Sequence, residues 1–229
     1  MEKPVPQVQR IRHAAGGDPE RRAADRALLL ERVAEGLAHE GKNPLHNMVL
    51  HLQLMSEKLT SAERQGGLPI EKHLLALRDG IGRVDALLKA FGEFAAPEHL
   101  PPDLALAVAR TVQLFGYEAR RAGVQLSFRG PETLLVSCDS RDLTDAVGHA
   151  LVSCIEMARE SGRVDLHLEP RGAVAVLTVR AEGGSGRRDE AEPHFQALRR
   201  LAPDAGCELS IEHPSAGGAR LSLSFLHPR

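Results

Sequence analysis

Tryptophan is absent from the 229 residues, tyrosine occurs once and phenylalanine six times, so aromatics amount to 3% of the chain. Single-stranded nucleic-acid platforms stack bases on several aromatics in a basic setting, and that class is excluded. An excess of charge of either sign is also missing. Twenty-nine basic residues face 31 acidic ones for a net charge of −2, which gives no field toward nucleic acid or an anionic membrane. Only three cysteines occur, Cys138, Cys154 and Cys207, with neither a CxxC pair nor zinc-finger spacing, so they read as buried free thiols in a reducing cytoplasm. No apolar run approaches the ~18 residues of a membrane span, and the opening Met-Glu-Lys-Pro-Val-Pro lacks the apolar core of a signal peptide. The expectation is a cytoplasmic protein with no nucleic-acid or membrane partner. Its core must be filled by Leu, Val and Ala, because little else is available.

What is present divides the chain in two. Residues 1–17 carry Pro4, Pro6, Gly16 and Gly17 and read as a flexible tail. Asp18-Pro19-Glu20 is a helix start: an N-cap, a proline at the first helical position and an acid in the first turn. A helix is predicted from there to about Leu59, a glycine-rich turn to Pro69, and a second helix over 70–94, ended by Pro97, Pro101 and Pro102. Leu45, Met48, Leu52, Met55 and Leu59, and then Ile70, Leu74, Leu77, Ile81, Val84, Leu88 and Phe91, alternate steps of three and four. That spacing is a bundle seam, which predicts an antiparallel hairpin that buries itself by dimerising into a four-helix bundle. Past residue 100 the pattern becomes α+β. Helices are predicted over 103–121, 139–160 and 194–201, and strands near 124–128, 134–138, 164–169, 173–179, 208–212 and 219–225, with 180–192 as loop. The expected units are the tail over 1–17, the hairpin over 18–99 and an α/β layer over 100–229.

The chemistry concentrates on the first helix, in Leu37-Ala38-His39-Glu40-Gly41-Lys42-Asn43-Pro44-Leu45. At about 100° per residue His39 falls ~120° from the seam and faces solvent. Asn43 lies one turn further on the same face, and Glu40 points about 100° around the helix. Pro44 costs a helical hydrogen bond and predicts a kink just past the site. Four residues after His39 stands Asn43 rather than a second histidine, which excludes metalloprotease chemistry, and His46 is too far along for a shared metal. His46, His51 and His73 read as solvated helix histidines.

This segment resembles the H-box of bacterial sensor histidine kinases, in their dimerisation and histidine-phosphotransfer domain. The hairpin, the Phe-x-x-Phe that ends its second helix and the proline-rich linker are similar too. The resemblance implies that His39 is the phosphoryl acceptor, Glu40 the general base and Asn43 a residue that positions water during dephosphorylation of a response regulator. A neutral imidazole beside a carboxylate suits the first two roles. Gly41 departs from the family, which has a large aliphatic residue there.

Residues 103–229 resemble more weakly the ATP-binding domain of the same kinases, a Bergerat-type α/β sandwich. The implied fold class is thus α + α/β, a dimeric helical hairpin followed by that sandwich. The nucleotide boxes are degenerate. His149 and Ser153 replace the two asparagines of the N-box, and Ala181 stands where a carboxylate should specify adenine, followed by Glu182 and Gly183. The phosphate-cradling glycine box is missing, since no glycine lies between Gly186 and Gly206. Gly183-Gly184-Ser185-Gly186 reads as a flexible surface loop. Losing the Mg²⁺ ligand, the adenine carboxylate and the amide cradle together predicts that ATP is not bound. The expected function is transfer of phosphoryl groups between His39 and receiver-domain aspartates. The expected protein is a homodimer without its own cofactor or metal, Mg²⁺ being supplied by the receiver. An active but divergent kinase, a response-regulator phosphatase and a non-catalytic dimeric scaffold are the alternatives.

Overall fold

Local capping chemistry starts the helices at Pro19, Leu104 and Ser140 where the sequence predicts it. The computed structural model describes residues 18–62, 71–96, 102–186, 188–213 and 218–228. The expected tail, most of the turn that joins the hairpin and the linker over 97–101 lie outside the described residues. Helix α1 spans Pro19–Ala62, and the backbone N–H of Glu20 donates to Asp18 Oδ1 at 3.1 Å. It continues as helix through Pro44. Helix α2 spans Glu71–Ala95 and packs antiparallel along it, Met48 lying over Gly80 and His51 beside His73.

After the hairpin come α3 (Leu104–Arg121), β1 (Gln125–Arg129), α4 (Ser140–Met157), β2 (Arg163–Arg171), β3 (Val174–Glu182), α5 (Arg188–Asp204), β4 (Cys207–Glu212) and β5 (Ala219–Leu226). Asp103 caps α3, accepting from Ala105 N–H at 2.9 Å, and Asp139 caps α4, accepting from Arg141 N–H at 2.8 Å. The sheet order is β1-β2-β3-β5-β4. Only β1–β2 is parallel, which requires a crossover, and α4 is that crossover. The result is a mixed sheet with helices packed on it.

Two expectations are corrected here. Residues 134–138 form no strand: Leu135 makes a single antiparallel bridge to Asp103, and Val136 N–H turns to Pro102 O. Helix α5 starts at Arg188 instead of 194. Pro193 reads as a helix breaker, but so near the start it removes only one hydrogen bond, which the burial of Ala191, His194 and Phe195 offsets.

The seam positions divide into two lines. Met48, Met55, Leu77, Val84 and Phe91 are half-buried between the helices, whereas Leu45, Leu52, Leu74, Ile81 and Leu88 remain 50–61% exposed. The N-terminal half of α1 behaves differently. Leu29, Val33, Ala90 and Phe94 are buried in one continuous core with α3, α4, α5 and the sheet. Gly148 on α4 forms the slot for Leu29, whose Cδ1 would lie 2.9 Å from a methyl placed there. Every α4 residue from Leu143 to Glu156 is consequently buried, including the polar Asp145, His149, Ser153 and Glu156.

Candidate functional site

Helix α1 carries His39, Glu40 and Asn43 to the boundary between its docked and undocked halves. His39 and Asn43 are exposed. The His39 imidazole stacks on Tyr117 of α3, with ring centroids 5.2 Å apart and planes 9° from parallel. The Glu40 carboxylate accepts from the guanidinium of Arg120, also on α3. His39 and Glu40 are therefore held from the same neighbouring helix, while Asn43 stands one turn beyond. Tyr117 and Arg120 carry no motif that sequence reasoning could use. The available signals were the uniqueness of the tyrosine and the basic last turn of α3, and neither indicates a partner 80 residues away.

Two grooves flank this point. One, of about 660 Å³, lies along the hairpin and is lined by Ala38, Leu45, Val49, Val84 and Leu88 among others. The other, of about 750 Å³, runs between α1, α3 and β1, with Glu40 and Arg120 at its rim and Val112, Val124 and Leu126 in its wall.

A line of ion pairs clamps the N-terminal half of α1 to the α/β layer. Asp25 receives both Nε and Nη2 of Arg200, at 3.0 and 2.6 Å. Arg26 pairs with Asp145 and donates to the carbonyls of Phe94 and Ala95 at 3.2 and 2.7 Å, capping a helix whose own last turn has no basic residue. Arg32 reaches the buried carboxylates of Glu118 and Glu156. Burial pushes the Glu118 and Asp145 carboxyls above the usual carboxylate range, and their arginines pull the other way.

Of the nucleotide-box positions, His149 and Ser153 lie on α4 and Ala181 on β3. His149 and Ser153 are 0% exposed and Ala181 is 1% exposed. His149 Nδ1 lies 3.0 Å from Nδ1 of His194 on α5, a hydrogen bond in which one ring donates. Burial pushes His149 down to about 3 and His194 down to about 4, so both stay neutral. Ser153 Oγ donates back to the Ala150 carbonyl. Gly183, at φ 71°, and Gly184, at φ 79°, turn the chain after β3. A methyl at Gly184 would stand 2.3 Å from Arg159 O, and one at Gly186 2.0 Å from Glu156 O. The glycines let the loop lie directly on the C-terminal end of α4.

The remaining histidine and cysteine expectations resolve plainly. His73 is buried and hydrogen-bonded rather than solvated: its Nδ1 lies 3.0 Å from His51 Nδ1, and Lys58 donates to its Nε2 at 3.3 Å. All three cysteines are free, Cys154 and Cys207 buried and Cys138 half-buried. Among the described residues no helix is long and apolar enough to cross a membrane, and no group of three or more His, Cys, Asp or Glu could hold a metal.

No protein-family model matches the sequence. Over 201 residues, 85% of this chain, it is 24% identical to sensor histidine kinase ZraS of Escherichia coli O157:H7 and 23% identical to that of strain K12, a span of 42% of each relative. The chain therefore covers less than half the length of these relatives. Among solved structures, a bacterial phosphotransferase is similar at TM-score 0.49 and 13% identity, over 91% of this chain and 98% of that one. Histidine kinase ThkA, in complex with response regulator protein TrrA, is similar at TM-score 0.47 and 17% identity, over 91% of this chain and 65% of that chain.

Proposed function

We propose that the chain, similar over 85% of its length to a sensor histidine kinase, is a histidine phosphotransferase, passing phosphoryl groups between His39 and receiver-domain aspartates without binding ATP. One asymmetry carries this reading. The acceptor histidine is exposed, while His149, Ser153 and Ala181 are sealed at 0–1% exposure. A triphosphate needs a Mg²⁺ ligand, an amide cradle and room. The residues present do not fit it: two neutral histidines bonded to one another, an alanine, and a glycine loop whose backbone is closed on α4. The Mg²⁺ of the reaction then belongs to the acidic pocket of the receiver. Glu40 is the carboxylate beside the acceptor and Asn43 the group that orients water when a phosphoryl group is hydrolysed.

The working unit is a homodimer. Leu45, Leu52, Leu74, Ile81 and Leu88 line up on the open side of the hairpin, and a second copy buries them in a four-helix bundle. In this unit residues 18–99 form the phosphotransfer hairpin and 100–229 a docking layer derived from an ATP-binding domain.

Two incubations test the reading. The purified chain is mixed with γ-labelled ATP and Mg²⁺, and separately with a phosphorylated receiver domain. Label arriving only from the receiver and lost in His39→Ala is the expected result. Label from ATP on His39 overturns it in favour of a kinase, and no label from either source leaves a scaffold.

A further inference from the structure

The one tyrosine of the chain is brought to the acceptor histidine by a helix of the other unit. The nucleophilic lone pair of an imidazole lies in the plane of the ring, so a ring stacked on its π face fixes that plane and leaves the nitrogen edge open. Tyr117 has this relation to His39, 5.2 Å away and 9° from parallel. Gly36, three residues before His39, packs against it: a methyl there would lie 3.8 Å from Tyr117 Cδ1. Three residues beyond Tyr117 on α3, Arg120 lies back over Gly116, where a methyl would be 3.4 Å from its Nη1, and pairs with Glu40. Two consecutive residues of α1 are thus met by two residues one turn apart on α3.

We propose, resting on the phosphotransfer reading of His39, that the acceptor site is composite, with Tyr117 and Arg120 of α3 acting as positioning residues. Tyr117 holds the His39 ring so that an in-plane nitrogen faces the incoming phosphorus, and Arg120 holds the Glu40 carboxylate beside it. In the step they serve, the unprotonated ring nitrogen gives its lone pair to phosphorus. The P–O bond to the receiver aspartate breaks and the carboxylate leaves with the bonding electrons. The proton on the other ring nitrogen stays there or passes to water. Neither Tyr117 nor Arg120 exchanges an atom. Their contribution is pre-organisation, since a swivelling exposed ring spends most of its time misaligned.

The test uses the full chain and phosphoramidate, which phosphorylates imidazole with release of ammonia and needs no receiver. Phosphorylation of His39 is followed by intact mass and ³¹P NMR, and onward transfer by adding a receiver domain, for wild type, Tyr117→Leu, Tyr117→Phe, Arg120→Gln and Arg120→Lys. Tyr117→Leu is expected to slow both steps about tenfold and Tyr117→Phe to restore them to within about twofold, because the ring and not the hydroxyl does the stacking. Arg120→Gln is expected to slow them less and Arg120→Lys to recover most of the rate. Wild-type rates in a folded Tyr117→Leu overturn the proposal and leave the phosphotransfer reading intact, and a faster variant overturns it by making the contact a restraint. A wild-type chain that takes no phosphoryl group at His39 from phosphoramidate or receiver ends both. If Tyr117→Leu does not fold, ¹⁵N NMR of the wild-type His39 ring decides: a restricted ring supports the proposal and free averaging refutes it.

Discussion

A methyl group added at Gly41 meets no atom within 4 Å, whereas one added at Gly186 would stand 2.0 Å from the Glu156 carbonyl oxygen. The same substitution should therefore act in opposite directions. Gly41→Ala, in the interior of α1, is expected to stabilise the chain by about 0.5–1 kcal/mol through helix propensity, and Gly186→Ala to destabilise it by about 1–3 kcal/mol or more by forcing backbone apart. Urea midpoints of the two variants check both signs. The buried histidines give the second prediction at this scale. His149 and His194 have folded values near 3 and 4, below their ordinary 6.5, so the unfolded chain takes up protons at a pH where the folded chain does not. Their contribution is complete above about pH 6.5 and is lost as pH falls toward 4, at about 1 kcal/mol per pH unit for each ring. Glu118 and Asp145, raised by burial, work in the opposite direction, but nearer the carboxylate range. Unfolding free energies at pH 7, 6 and 5 should fall more steeply in wild type than in His149→Gln; equal slopes would remove the pair from the account.

Elements were legible where one physical cause dominates. The helix starts at Pro19 and Leu104, the end of α2 and the β2–β3 turn follow from capping, proline chemistry and alternation, and the structure places them within a residue or two of expectation. Position in space was not legible. The spacing that marks Leu45, Met48 and Leu52 as one seam cannot say that Met48 turns toward Gly80 while its neighbours stay open. Nor does the amphipathic pattern of α4 disclose that its polar side is buried too, because Asp145, His149 and Glu156 find partners on α1 and α5 far away in sequence. His39 was visible as a motif, but its ring partner Tyr117 exists only through the docking of α1 on α3. The open line itself supports a prediction. Ile81 and Leu88 are 61% and 56% exposed and contribute little to the single chain. Ile81→Glu/Leu88→Glu should convert a dimer to a monomer in sedimentation or light scattering, with little change in the fold of the α/β layer by circular dichroism. A variant that stays dimeric would place the interface elsewhere.

At the scale of the molecule, α1 and the α/β layer are joined by a series of salt bridges between Arg22 and Glu40 of α1 and residues of the layer, and Arg32 is the one whose partners are most deeply buried. Glu118 and Glu156 are 4% and 1% exposed, and Arg32 faces both. A buried ion pair stabilises little against a well-packed apolar replacement, yet removing one partner strands the charge left behind. Arg32→Met strands two carboxylates, although Glu156 keeps Arg159 at 2.5 Å. The expected cost is about 3–5 kcal/mol in urea unfolding. Neutralising one stranded group should return part of it, so Arg32→Met/Glu118→Gln is expected to be more stable than Arg32→Met alone, a coupling that only a shared buried site produces. Arg21, whose side chain is 74% exposed beside Asp18, supplies the comparison, and Arg21→Met should stay within about 0.5 kcal/mol of wild type. Because Arg32 sits seven residues before His39 on the same helix, undocking at Arg32 also carries His39 away from Tyr117. The Arg32→Met chain should then lose phosphoryl acceptance at His39 along with stability, and the second substitution should restore both together; recovery of stability without recovery of acceptance would show that docking and acceptor geometry are separate.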